Sequence, residues 1–223
     1  MKEPMLANLE RITPSTKIRF KCTSCGKCCR HVKETVPVDS WDAFHMAQFL
    51  RDAGEGICCV DDFLQRYAEP ALLNECGYFV YFLRSVGPDD SCIFLKDNRC
   101  CIHKAKPRAC RLYPFVVEPS ESGTHRYLLS TENMHHFKGP QTETKKWVNQ
   151  FFPTPEREFL QADFGKARDI ARLLRDVPSE RQTEAVLHFH RLLYSGFDLD
   201  QPFWPQYKRN QTSLLAVLAR MSK

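Results

Sequence analysis

The chain has 223 residues, of which 43% are hydrophobic and 26% charged, with a formal net charge of +5. That is the make-up of an ordinary soluble globular chain, long enough to bury a core as one domain or one domain with an appended subdomain. A balance this mildly basic is too weak to argue for a nucleic-acid partner, and none is expected. No run approaches the ~18 uninterrupted apolar residues of a transmembrane helix, and residues 1–10 lack the apolar stretch of a secretory signal. The expected location is therefore cytoplasmic, away from membranes.

In chain order, residues 1–19 read as a leading segment with a short strand at Lys17-Ile18-Arg19-Phe20. Val36-Pro37-Val38 is extended, because proline biases its predecessor away from helix. Asp39-Ser40-Trp41-Asp42 offers an N-cap and an acidic first turn. The spacing of Ala43, Phe44, Ala47 and Leu50 predicts a helix over 41–51 with those side chains facing a core. Gly54-Glu55-Gly56 ends it, and a second short helix starts at Val60. The aromatic, β-prone residues 77–86 predict a strand, followed by a Gly87-Pro88-Asp89-Asp90 turn. Phe115-Val116-Val117-Glu118 and Arg126-Tyr127-Leu128-Leu129 flank Pro119-Ser120-Glu121-Ser122-Gly123 and predict a hairpin with a long loop. Three helical stripes follow, over 155–175, 178–194 and 205–221, and read as packing faces. The expected fold class is α+β. A small, loop-rich cysteine-cluster metal-binding core fills residues 1–140, and a helical C-terminal extension over 141–223 packs on it.

The chain carries 11 cysteines. An odd number in a reducing compartment argues against a disulfide framework. Their grouping favours metal ligation. Four fall in Cys22-Thr23-Ser24-Cys25-Gly26-Lys27-Cys28-Cys29, and a second group spans Cys92, Cys100, Cys101 and Cys110, with His103 nearby. Cys58, Cys59 and Cys76 lie outside both groups and read as small buried hydrophobes. Cys-x2-Cys-x2-Cys with a distant fourth cysteine is a common way to hold a [4Fe–4S] cluster. Two thiolates from Cys-x2-Cys and two from a later pair would equally close a tetrahedral zinc site. Cys29 fits neither scheme simply; it is a spare, a second-site ligand or a bridge. The candidate metal ligands are Cys22, Cys25, Cys28, Cys29, Cys92, Cys100 and Cys110. Seven thiols exceed what one zinc can use, so two metals or a polynuclear cluster are implied. Arg111 and Lys27 either offset the thiolate charge or are solvated surface residues. Cys22-Thr23-Ser24-Cys25 alone would suit a thiol–disulfide oxidoreductase, but the surplus thiols and the missing βαβ pattern do not.

These motifs occur in a particular order: Cys22-x2-Cys25-Gly-x-Cys28-Cys29-Arg30, Cys92-x-Phe94-Leu95, Cys100-x-Ile102, then Pro107-x2-Cys110-Arg111-x-Tyr113-Pro114-Phe115. In that order they resemble a bacterial family described as zinc- or iron-chelating, with a Cys-x2-Cys-x2-Cys-Cys signature. The resemblance covers residues 18–139. It implies cysteine-mediated metal binding with no assigned biochemical role. The signature is shared with flagellin lysine N-methylases, which implies, as an alternative, an iron–sulfur enzyme that transfers a methyl group from S-adenosylmethionine to a protein lysine. The chain departs from the family pattern twice. Met134 stands where a cysteine is usual, so His135 or His136 either ligates instead or belongs to a surface pair. His103 stands where tyrosine is usual, as a ligand or as an aromatic-sized substitute.

No Ser/His/Asp grouping stands out. Asp61-Asp62 and Asp89-Asp90 read as a helix start and a turn, and His188 and His190 face different sides of a helix. The expectation is a metal-binding protein holding an iron–sulfur cluster or zinc. S-adenosylmethionine enters only with the methylase alternative, and whether the chain is an enzyme stays open.

Overall fold

In this computed structural model the described residues are 8–223, so the first seven residues of the expected leading segment lie outside them. The fold is α+β, as expected: short strands gathered in small sheets, with seven α-helices among the described residues. None of those helices is long and apolar enough to cross a membrane. The described residues divide into two compact units, one of residues 8–36 and 85–161, the other of 37–84 and 162–223. The residues beyond 140 are thus shared between both units.

The first unit carries both cysteine groups. Its largest sheet has His125–Ser130 as the central strand, flanked antiparallel by Leu9–Ile12 and Phe115–Pro119. The expected hairpin is present, closed by a tight turn in which the Ser120 N–H donates to the Thr124 carbonyl at 2.9 Å. The strand Lys17–Arg19 also forms, pairing with Gln141–Glu143. Leu112, Val117, Val148, Phe152 and Leu160 make the apolar core, with Tyr127 and Phe151 against it. Phe20, buried at 4% exposure, sits among four rings. Its centroid lies 5.9 Å from Tyr113, 5.9 Å from His136, 6.2 Å from Phe137 and 5.4 Å from Trp147, all edge-to-face. Such pairs add to simple burial because the positive ring edge meets the negative face.

The second unit is mainly helical. The expected helix spans Ser40–Asp52, and the Asp39 carboxylate accepts the Asp42 N–H at 2.9 Å as its N-cap. Phe79–Leu83 alternates buried and half-buried residues and is the central strand between Pro37–Val38 and Ala68–Leu72. The single strand expected over 77–86 is broken, and Ser85–Val86 belongs to a separate two-stranded ladder. The stripe over 178–194 is a helix only at Gln182–His190. It then widens into a π-turn, Arg191–Ser195, closed by the Gly196 N–H on the Arg191 carbonyl at 2.7 Å. Phe203–Met221 completes the unit, with Tyr207, Leu214 and Leu218 fully buried.

Cys58, Cys59 and Cys76 do not pack as buried hydrophobes. Cys58 is exposed and the other two half-buried. Their backbone explains this. The Cys58 and Cys59 N–H groups donate to the Asp62 carboxylate at 2.8 and 3.2 Å, which fixes them at the solvent-facing start of the helix Val60–Tyr67. The Cys76 N–H donates to the Asn74 side chain at 3.0 Å, within a loop.

Phe20 anchors the segment that leads into the cysteine loop. Replacing it with alanine should cost about 3–5 kcal/mol in denaturant unfolding, as for a fully buried aromatic. Leu187, 63% exposed, should tolerate alanine within about 0.5 kcal/mol. Equal costs at the two positions would contradict the packing described.

Candidate metal centre

A loop bearing four cysteines in eight residues has little apolar surface with which to hold itself, so its shape depends on backbone ties at either end. Upstream, the Phe20 N–H donates to the Pro140 carbonyl at 3.2 Å and the Lys21 N–H to the His136 carbonyl at 3.0 Å. Gly139 lies so close to the Phe20 carbonyl that a Cβ would overlap it, which is why glycine stands there. Downstream, the His31 and Val32 N–H groups donate to the Asp89 and Asp90 carbonyls at 2.8 and 2.9 Å. The Arg30 guanidinium adds contacts to Asp89 at 3.1 Å and to the Asn98 amide oxygen at 2.7 Å. The Arg30–Asp89 pair is half-exposed and contributes little by itself; its role is register.

Between these ties the loop turns on Gly26, at φ +70°, into the short 3-10 turn Lys27–Cys29. A Cβ on Gly26 would sit 2.7 Å from the Asn98 carbonyl oxygen, so glycine is required by both conformation and contact. Asn98 belongs to the tight Asp97-Asn98 turn of the hairpin Leu95–Lys96 and Arg99–Cys100, where both turn residues have positive φ. The first cysteine group is therefore seated against the second.

The second group is presented by three different short elements. Cys92 lies on the Ser91–Cys92 ladder, opposite Ser85. Cys100 lies opposite Leu95 on the hairpin. Cys110 lies on the helix Arg108–Leu112, its N–H donating to the Pro107 carbonyl at 2.9 Å. On that helix Arg111 grips Glu156 with two bonds of 3.0 and 2.6 Å, and Arg108 approaches the same carboxylate at 4.0 Å. Glu156 is wholly buried, so the carboxylate is neutralised by two guanidinium groups and pins the Cys110 helix.

The thiols sense one another. A hydrogen bond with Cys29 draws the Cys28 thiol down to about 7, and the same bond holds the Cys29 thiol protonated, well above its ordinary value. Burial pushes the Cys92 thiol up to about 11, with the charges of Cys100, Cys101 and Cys28 adding to it. Burial also raises Cys100 and Cys110, with Cys28 again contributing to both. Cys28, Cys29, Cys92, Cys100 and Cys110 thus form one mutually repelling group. The cation that relieves them is Lys106, which lowers Cys28, Cys100 and Cys110. Of the two cations named from sequence, Arg111 bonds to Glu156 instead.

Cys25 takes a different environment. Its Sγ lies 3.4 Å from His135 Nε2 and 3.2 Å from His136 Nε2. All three donor atoms fall within 4.8 Å of one another. His136 is 2% exposed and its Nδ1 has no hydrogen-bond partner, whereas His135 faces solvent. Met134 points outward at 62% exposure. Both imidazoles of the pair thus meet the Cys25 thiol, His136 from the interior and His135 from the surface. His103, by contrast, is exposed and meets the Lys106 ammonium at 3.2 Å, and the Lys106 charge lowers its pKa. Cys22 and Cys101 are exposed. All 11 cysteines are free thiols.

The donor set suits a metal: clustered thiols that repel one another until a cation joins them, and a buried imidazole short of a partner. A family model described as "Putative zinc- or iron-chelating domain", with the signature CxxCxxCC, matches residues 21–138. The chain belongs to this family. Its signature cysteines here are Cys22, Cys25, Cys28 and Cys29, and the matched segment extends just past His136. No curated protein and no solved structure matches the chain. Zinc or iron chelation is what the family is described for. The Cys25–His135–His136 cluster lies within the matched residues.

Burial alone would raise the Cys25 thiol; hydrogen bonds from His135, the Lys27 N–H, Thr23 and His136 outweigh it and bring it down to about 6. In metal-free protein Cys25 is therefore ionised above that pH and protonated below it. Alkylation by iodoacetamide, followed at Cys25 by peptide mass spectrometry, should rise with a midpoint near 6. A midpoint at the ordinary value of 9.0 would contradict the histidine contacts.

Proposed function

We propose that this chain is a metal-chelating protein whose principal centre is an iron–sulfur cluster held by four of Cys28, Cys29, Cys92, Cys100 and Cys110. The observation that carries this reading is that these five thiols, from two distant segments, raise or lower one another's ionisation. Such a group stores electrostatic repulsion that a bound cation removes. Five thiols exceed the four protein ligands of a tetrahedral ion and of a [2Fe–2S] or [4Fe–4S] cluster alike, so four of them would ligate and the fifth stand beside the centre. A single zinc with Zn–S bonds of ~2.3 Å draws its sulfurs to about 3.8 Å from one another. Among the described residues, no three of the five thiols lie within 4.8 Å of one another. That wider spread suits bridged iron, where sulfide and metal lie between the cysteines. When bound, the cluster supplies either a one-electron couple or a rigid cross-link between the two segments. Cys22 is left out of this ligand set because none of the five thiols carries a shift from it.

Anaerobically purified protein should contain iron and acid-labile sulfide in near-equal amounts and absorb broadly in the visible. Cys110→Ser should lose most of both. Colourless protein holding zinc and no sulfide would replace the cluster with a structural zinc centre.

A further inference from the structure

Cys25 raises the Cys28 thiol through its charge, but its own nearest donors are two imidazoles rather than the other thiols. Among the described residues, Cys25, His135 and His136 are the only set of three donors within single-ion spacing. The geometry points to a second, separate site: one divalent cation of the zinc type, bound by Cys25 Sγ, His135 Nε2 and His136 Nε2, with its fourth position open to water. This rests on the reading of the chain as a metal chelator and adds a site to it.

The distances suit one ion. Bonds of ~2.3 Å to sulfur and ~2.05 Å to nitrogen in a tetrahedron place S and N about 3.6 Å apart. The observed 3.4 and 3.2 Å are within a small adjustment of that. The donor types differ from those of the thiolate centre. Two imidazoles with one thiolate make a borderline set suited to zinc or cobalt, whereas the neighbouring thiols suit sulfide-bridged iron. The site is built into the fold, because His136 is 98% buried by the Phe20 and Tyr113 rings and its carbonyl accepts the Lys21 N–H. A buried imidazole whose Nε2 has only a thiol to meet, and whose Nδ1 meets nothing, is a costly group unless it ligates. His135 is exposed on the other side, which leaves room for water. A three-ligand site with an open fourth position exchanges its ion and ligand more readily than a closed one.

Cobalt(II) is the probe. Full-length protein carrying its purified metal complement should take up one further equivalent, giving tetrahedral cobalt bands in the visible and a thiolate-to-cobalt band in the near ultraviolet. Cys25→Ser should abolish the thiolate band. His135→Ala, at an exposed position, should weaken cobalt binding at least ~10-fold. Both variants should keep the wild-type iron and sulfide. Cys110→Ser should do the reverse, losing iron and keeping the cobalt site. The inference is overturned if wild-type protein takes no further equivalent and holds no zinc that Cys25→Ser loses. It is also overturned if Cys25→Ser or His135→Ala loses iron and sulfide as Cys110→Ser does, since these residues would then ligate the cluster. Absence of iron in the wild type, with the cobalt site intact, would remove the cluster and leave this site standing.

Discussion

The cysteine loop is held by main-chain hydrogen bonds rather than by a core of its own. Phe20 and Lys21 tie it to the segment ending at Pro140, and His31 and Val32 tie it to Asp89 and Asp90. These ties join parts of the chain more than 50 residues apart, and everything about the metal centre depends on them. Each backbone bond contributes only about 1 kcal/mol net. The Phe20 ring cluster supplies the larger share, by making the upstream tie part of the buried interior. The downstream tie is supported by the Arg30 contacts to Asp89 and Asn98 and by the buried Val32 side chain.

Fixing the loop places thiols against thiols, and that has an electrostatic consequence. Without a metal the group mostly holds its protons: Cys29 stays protonated, its hydrogen bond draws Cys28 down to about 7, and burial drives Cys92, Cys100 and Cys110 toward the neutral form. Lys106 is the cation nearest in effect, and it cannot neutralise five thiolates. Metal binding therefore releases protons and draws its strength from relieved repulsion. The same repulsion makes the metal-free state the less stable one, so chelation should loosen the first unit before the second.

Much of this was legible in the sequence where chemistry is local. The helix Ser40–Asp52 is announced by its Asp39 cap and its apolar spacing. The strand Phe79–Leu83 is marked by its aromatic, β-prone residues. The cysteine groups and their order are plain. Other elements were not legible, because their reasons lie elsewhere in the chain. Leu9–Ile12 and Gln141–Glu143 are short and largely polar, and they become strands only through partners more than 100 residues away. Thr144–Phe151 is a helix too short for a clear periodic signal. Arg111 read as either a thiolate counter-ion or a solvated surface charge; nothing local shows that Glu156, 45 residues on, takes it instead. His135 and His136 were ambiguous for the same reason, since their pairing with Cys25 depends on the turn Met134–His136 being tied to Lys21. Cys58 and Cys59 were misjudged because a helix start exposes its cap whatever the side chain's polarity.

The chain belongs to a metal-chelating family, and its structure offers two kinds of donor set within one unit. The relation to flagellin lysine N-methylases rests on the shared signature alone; the family match reaches the chelating domain and no further. The central claim is that thiols from two distant segments converge on one iron centre. X-ray absorption at the iron edge of the purified protein tests it most directly. The account predicts a shell of sulfur only, with iron–iron scattering from a bridged cluster. A shell of nitrogen and oxygen, or isolated iron without a metal neighbour, would contradict it.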